Sequence, residues 1–128
     1  MTSEAILKQL QFSRAWLGLG IVTPALLAEL WREYEIGEDI NTERYRWRAF
    51  QSFLKGQREI SALLYRSLYC LAEHDPDANV MGQAMRFELL KRADCPLELL
   101  EKAALAAEKS LKQLAGRQLQ ARKIPQAA

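Results

Sequence analysis

The sequence predicts an all-α protein, and three observations support this fold class. Apolar residues recur at i, i+3 and i+4 along most of the chain, which places them on one face of a helix. The alternation of apolar and polar residues that is typical of a strand never holds for five residues. Thr-Pro, Asp-Pro-Asp and single glycines separate the periodic segments, and such residues begin and end helices.

The first half of the chain contains three of about six predicted helices, at 4–17, 24–36 and 43–55. Thr2 or Ser3 can cap the first helix, because a short hydroxyl accepts hydrogen bonds from the free amides of the first turn. Thr23 is followed by Pro24, which suits the first position of a helix because no N–H is needed there. The glycines expected to end these helices are Gly18, Gly37 and Gly56.

The second half contains the other three predicted helices, at 58–73, 78–92 and 97–120. Asp77 follows a turn and can cap the fifth helix. That helix is apolar almost all round, so we expect it to lie in the centre of its domain. The sixth is rich in strong helix formers and would be about 36 Å long.

Length and composition indicate one domain at 1–122 and a flexible basic tail at 123–128. A chain of 128 residues with 49% apolar and 27% charged residues is typical of a globular domain. The longest apolar run, 16–22, contains two glycines and is much shorter than the roughly 20 residues of a membrane span. Because the N-terminus also lacks the basic segment of a signal peptide, we expect a cytoplasmic protein.

Residues 71–107 contain a run of turn and helix-start motifs, which are Asp75-Pro76-Asp77, Val80, Cys95-Pro96 and Leu99-Leu100. This pattern resembles a unit of the leucine-rich repeat variant family, a relative of HEAT-like helical repeats. The resemblance implies a short stack of helical pairs, in which each pair buries its apolar face against a neighbour. An irregular helical bundle explains the same residues, so both architectures remain open.

No catalytic site, metal site or cofactor is predicted. The carboxylates at 33–39 flank a glycine turn and are expected to be solvated. Acid–base catalysis instead needs two carboxylates in a cleft whose environment gives them different pKa values. His74 is the only histidine, and Cys70 and Cys95 are too sparse for a zinc site or an iron–sulfur cluster. We therefore expect a protein that is not an enzyme.

The third helix carries the most informative pattern. At 100° per residue, Arg44, Arg48 and Lys55 fall within about 40° of one another. Trp47 belongs to the opposite, mostly apolar arc, and Arg46 lies in the middle of that arc. A charge there is costly unless it is paired or reaches solvent. Arg46 is therefore interpreted either as paired with a nearby carboxylate or extended to solvent, or as a groove residue that meets an anionic ligand.

The sixth helix contains an apolar seam with spacings of 4, 3, 4 and 3, at Leu100, Ala104, Ala107, Leu111 and Leu114. Such spacing packs one helix edge against another helix. The expected i, i+4 ion pairs on the solvent side are Glu98 with Lys102 and Glu108 with Lys112. Beyond Leu114 the helix is expected either to fold back or to protrude and pair with a partner helix, for example in a homodimer.

Charge alternates along the chain, with a net −3 at 1–40, +4 at 41–70, −4 at 71–108 and +5 at 109–128. Our first hypothesis is a non-enzymatic protein–protein interaction module that acts through helix packing and charged contacts at the rim. Its partner would be another protein or a second copy, and not a membrane. The alternative is a basic helical protein that binds nucleic acid. The residues expected to carry the interaction are Arg44, Arg46, Trp47, Arg48, Lys55, Leu111 and Leu114.

Overall fold

The computed structural model of the chain describes residues 2–37 and 41–123, and these residues form helices and no strand. The described helices are α1 (Ser3–Gln9), α2 (Arg14–Gly18), α3 (Pro24–Ile36), α4 (Glu43–Lys55), α5 (Ala62–Glu73), α6 (Met81–Lys91), α7 (Leu97–Ala104) and α8 (Lys109–Lys123). The all-α prediction is confirmed. The predicted number of about six helices is too low, because the first and the last predicted helix are each broken in two.

The chain divides into two compact units, unit 1 at Met1–Arg58 and unit 2 at Glu59–Ala128. The single domain expected at 1–122 stays a prediction. Of the tail expected at 123–128, Lys123 is the last residue of α8, and 124–128 lie outside the described residues.

In unit 1 the predicted first helix ends early because two apolar residues that a helix would separate are both buried. Leu10 and Phe12 are 0% and 4% exposed, yet residues two apart point about 200° away from each other on a continuous helix. Gln11, between them, adopts the left-handed conformation with φ of 63°, which ends α1. The reversal places Phe12 edge-on to Trp16, with ring centroids 4.9 Å apart. The ring centroid of Trp16 in turn lies 6.2 Å from that of Phe50 in α4.

In unit 2, α6 packs against both α5 and α8, and α7 packs against α8. The buried residues of these helices include Leu68, Met85, Leu89 and Leu100, all 0% exposed. Arg86 of α6 is also buried, and its guanidinium donates to the Gly82 carbonyl and to Glu108, each at 3.2 Å.

The predicted sixth helix is a helical hairpin instead of one long rod. The α7 helix ends at Ala104, and Leu105 is 88% exposed in the connection to α8. The two helices pack on each other, so Leu111 and Leu114 of the seam lie in the interior of unit 2, at 0% and 9% exposure. Both residues are therefore core residues of unit 2, and their expected role as interaction residues is corrected. The periodicity was compatible with both arrangements, because a seam packs equally well against its own chain.

Candidate interaction surface

The predicted basic stripe of α4 is brought together on one open surface of unit 1. A depression of about 530 Å³ on this surface is lined by the cations Arg44, Arg48 and Lys55 and by Tyr45, Trp47 and Gln51. Hereafter the "α4 surface" means Arg44, Trp47, Arg48, Gln51 and Lys55. These residues follow the spacing i, i+3, i+4, i+7 and i+11, which keeps them on one side of the helix.

Trp47 is placed differently from the expectation. The sequence assigned it to the apolar arc, but it lies at the edge of the stripe, half-buried, and lines the same depression as Arg44 and Lys55. The apolar arc behind it is filled by Tyr45, Ala49 and Phe50, which are 6%, 3% and 0% exposed. The α4 surface thus combines cations with an accessible aromatic ring.

A row of aromatic rings supports this surface from α3. Trp31 stacks on Tyr34 with centroids 5.4 Å apart, and Tyr34 meets Tyr45 edge-on at 6.0 Å. The Arg48 guanidinium lies 6.0 Å from the Tyr45 ring centroid and forms an ion pair with Glu33 of α3. Trp31 and Tyr34 were not among the expected interaction residues, although their i, i+3 spacing on α3 was the available signal.

Arg46 is the one expected interaction residue of α4 that does not reach this surface. It is 0% exposed, and its Nη1 donates to the Leu10 carbonyl at 3.3 Å, to Gln11 Oε1 at 3.4 Å and to Thr42 Oγ1 at 3.2 Å. The interpretation of Arg46 as a groove residue is therefore corrected. It is a buried support that binds the carbonyl at the end of α1 and the side chain of the left-handed Gln11.

The most strongly perturbed carboxylate of the described residues is Asp94, in the α6–α7 connection. Arg92 donates to it from Nε at 2.9 Å and Nη2 at 3.0 Å, the Ile60 amide donates at 2.9 Å, and the Tyr65 hydroxyl lies 2.8 Å away. These donors, Arg92 above all, lower the pKa of Asp94 to about 2. Burial, followed by the bond to Asp94, raises the pKa of the Tyr65 hydroxyl. Both carboxylate oxygens are engaged by the protein itself, so Asp94 ties the start of α5 to the α6–α7 connection and is not a free catalytic acid.

Unit 2 is expected to lose stability in acid through Asp94. Because the folded pKa lies below the usual value, this contribution is complete above about pH 4 and is lost as the pH falls towards 2. The loss should be about 1–2 kcal/mol, since the side chain keeps partial access to solvent. Asp94→Asn should lower the free energy of unfolding at pH 6 by a similar amount and flatten its dependence between pH 4 and 2. Urea unfolding of the unchanged protein and of Asp94→Asn between pH 4 and 2 measures this difference in the free energy of unfolding. If the free energy fell with pH equally steeply in both proteins, Asp94 would not be the source of the acid sensitivity.

The other groups considered for chemistry do not converge. Glu33 and Glu35 are exposed, and Glu38 and Asp39 lie outside the described residues. His74 is exposed at the end of α5, with Nδ1 2.9 Å from the Cys70 carbonyl oxygen. Across 2–37 and 41–123, no three His, Cys, Asp or Glu side chains are grouped so that they could hold a metal ion.

Burial separates the two cysteines, since Cys70 is exposed whereas Cys95 is 1% exposed. Burial also raises the pKa of the Cys95 thiol to about 11. Among the helices that the structure describes, none has the length and apolarity needed to cross a lipid bilayer. No known protein family, curated protein or solved structure matches the chain, so the HEAT-like resemblance stays a prediction.

Proposed function

We propose that the protein is a non-enzymatic interaction module that binds an acidic, partly apolar segment of another protein on the α4 surface. The observation that carries this proposal is the position of a half-buried Trp47 beside Arg44, Arg48 and Lys55 in one open depression. Trp, Tyr and Arg dominate the energy of protein interfaces, because they bury a large area and still make directional contacts.

The charges of the surface indicate the chemistry of the partner. Arg48 already binds Glu33 of α3, which is how a carboxylate of a partner would be held by the neighbouring cations. Cations at the rim of an apolar anchor favour a segment with alternating acidic and apolar residues, such as one face of an amphipathic helix. We therefore favour a helix with Glu or Asp beside a Leu or Phe anchor.

Self-association through the last helix is not part of this proposal. Leu111 and Leu114, which were expected among the interaction residues of that helix, are in the interior of unit 2. The α4 surface is also net basic, so a second copy would present like charges to it unless another face were used.

The proposal is tested by the anisotropy of a fluorescent amphipathic helix peptide that carries Glu and Leu, compared with the same peptide carrying Lys in place of Glu. We expect the acidic peptide to bind and the basic one not to bind. Trp47→Ala should weaken binding about tenfold, or about 1.4 kcal/mol, because it removes the apolar anchor. Arg44→Gln with Lys55→Gln should weaken binding and reduce its dependence on salt.

The matched control is Lys109→Gln with Lys112→Gln, which removes the same charge from two exposed lysines of α8. Peptide affinity should be unchanged in this control within about twofold. The proposal fails if the acidic peptide does not bind, or if the control weakens binding as much as the α4 variants do.

A further inference from the structure

The outward face of α8 is a second, chemically different charged surface. Its exposed residues are Lys109, Lys112, Gln113, Gly116, Arg117, Gln120 and Lys123. No Asp, Glu or aromatic residue occurs anywhere in α8. Lys112, Gln113, Gly116, Arg117 and Gln120 line an open depression of about 480 Å³ along this face.

The opposite face of α8 fixes the helix to unit 2, so the orientation of the outward face is set. Leu111 and Ala115 are 0% exposed. Gln118 Nε2 donates to the Leu90 and Lys91 carbonyls at 3.1 Å, and Arg122 Nη2 donates to the Ala93 carbonyl at 3.0 Å. The cationic side chains are therefore carried by an anchored helix of 15 residues.

Glu108, the acidic residue that directly precedes α8 in the sequence, is bound elsewhere. The sequence suggested an ion pair between Glu108 and Lys112, but the Glu108 carboxylate binds Arg86 Nη2 at 3.2 Å. Likewise Lys102 binds Glu73 instead of Glu98. Since α8 itself carries no carboxylate, its outward face keeps the positive charge of four side chains.

We propose that this face binds the phosphate backbone of double-stranded nucleic acid. Lys, Arg and Gln donate hydrogen bonds to phosphate oxygens without reading the base sequence. The face has no aromatic anchor of the kind that protein interfaces favour, and no ring on which unpaired bases could stack. Leu119, at the edge of the face beside Lys112, is half-buried. Gly116 leaves open space where a Cβ would lie, so a sugar–phosphate strand can approach the helix closely.

The length of α8 suits several phosphates. At 1.5 Å per residue it extends for about 22 Å, and a duplex presents one charge per roughly 1.7 Å of its axis. If the four cations of the face each neutralise one phosphate, log K should fall with log salt with a slope of about −3 to −4. Binding would be independent of sequence.

The test is the anisotropy of a labelled duplex of about 20 base pairs with the full chain, at salt concentrations from about 25 to 200 mM. We expect binding at low salt with the slope given above. Lys112→Gln with Arg117→Gln should reduce the magnitude of the slope by about 2, because two phosphate contacts are lost. Both positions are exposed and glutamine is a good helix former, so circular dichroism should show an unchanged fold.

The control is Lys91→Gln with Lys102→Gln, which removes the same charge from unit 2 outside α8 and should leave the slope unchanged. The inference is overturned if the duplex does not bind at low salt, or if the control reduces the slope as much as the α8 variant. It is also overturned if polyglutamate, or the single strand of the same sequence, competes as well as the duplex. Competition by polyglutamate would assign the face to acidic proteins, and competition by the single strand would assign it to unpaired bases. Competition by the single strand leaves the peptide experiment on α4 unaffected, whereas competition by polyglutamate predicts that the Lys109→Gln, Lys112→Gln control of that experiment also loses peptide binding.

Discussion

Replacing Arg46 with alanine is expected to lower the free energy of unfolding of unit 1 by about 3–5 kcal/mol. The guanidinium is fully buried and binds the Leu10 carbonyl, Gln11 and Thr42. Its removal leaves a cavity the size of a long side chain and deprives a buried carbonyl of a donor. The left-handed turn at Gln11 also loses its contact with α4, so the reversal between α1 and α2 should loosen.

Arg48→Ala is the matched control, two residues along the same helix. The Arg48 side chain is 55% exposed, and its ion pair with Glu33 lies at the surface, so we expect a loss of less than about 1 kcal/mol. All three tryptophans, Trp16, Trp31 and Trp47, lie in unit 1, so tryptophan fluorescence during urea unfolding reports this unit. A loss at Arg46 as small as that at Arg48 would contradict a supporting role. Arg46→Met, which keeps volume but no donor, should fall between the two.

Helices whose signals are local were predictable from the sequence. The bounds of α3 and α4 agree with the prediction, and Thr23 caps α3 by accepting from the Leu26 amide at 3.1 Å. Ser61 performs the same role for α5, but its signal was overlooked, and the helix was predicted to begin too early. Cap residues are informative because they act on amides within three positions of themselves.

The breaks at 10–13 and 105–108 could not be predicted, because their cause lies in tertiary packing. Leu10 and Phe12 are each compatible with a helix, and only their joint burial excludes one. The segment around Leu105 consists of good helix formers, yet it turns so that α8 can cover α7. Propensity favours a continuous helix at both places, and packing overrides it.

The candidate surface was predictable in part for the same reason. The cations of α4 share a helix face, which 100° steps along the sequence are enough to show. The aromatic row from α3 requires the packing of one helix on another. The sequence indicated that Arg46 is unusual, because it is a charged residue in an apolar arc. Its partners Leu10 and Gln11 could not be predicted, because they lie more than 30 residues away in the sequence.

The second large effect is expected at Gly82, where alanine should destabilise unit 2 by about 1–3 kcal/mol. A Cβ at this position would lie 2.3 Å from the carbonyl oxygen of Ala72, a distance that real contacts do not reach. Ala72 is a buried residue of α5, so its backbone cannot move aside without displacing the core. The close approach of α5 and α6 therefore requires glycine here. Helix propensity alone predicts the opposite sign, because alanine is favoured over glycine by about 1 kcal/mol inside a helix.

Gly116→Ala separates the effect of helix propensity from that of a steric clash, because this glycine lies inside α8 with no atom near the position of a Cβ. We expect it to stabilise unit 2 by about 0.5–1 kcal/mol, as propensity predicts. Labelling of the two thiols followed by mass spectrometry measures the opening of unit 2. Cys70 is exposed and should react at one rate in all chains, whereas the buried Cys95 reacts only after opening. Cys95 labelling should be faster in Gly82→Ala and slower in Gly116→Ala. If both substitutions slowed the labelling of Cys95, helix propensity would outweigh the steric clash at Gly82. The backbones of α5 and α6 would then be farther apart than the 2.3 Å between a Cβ at Gly82 and the Ala72 oxygen implies.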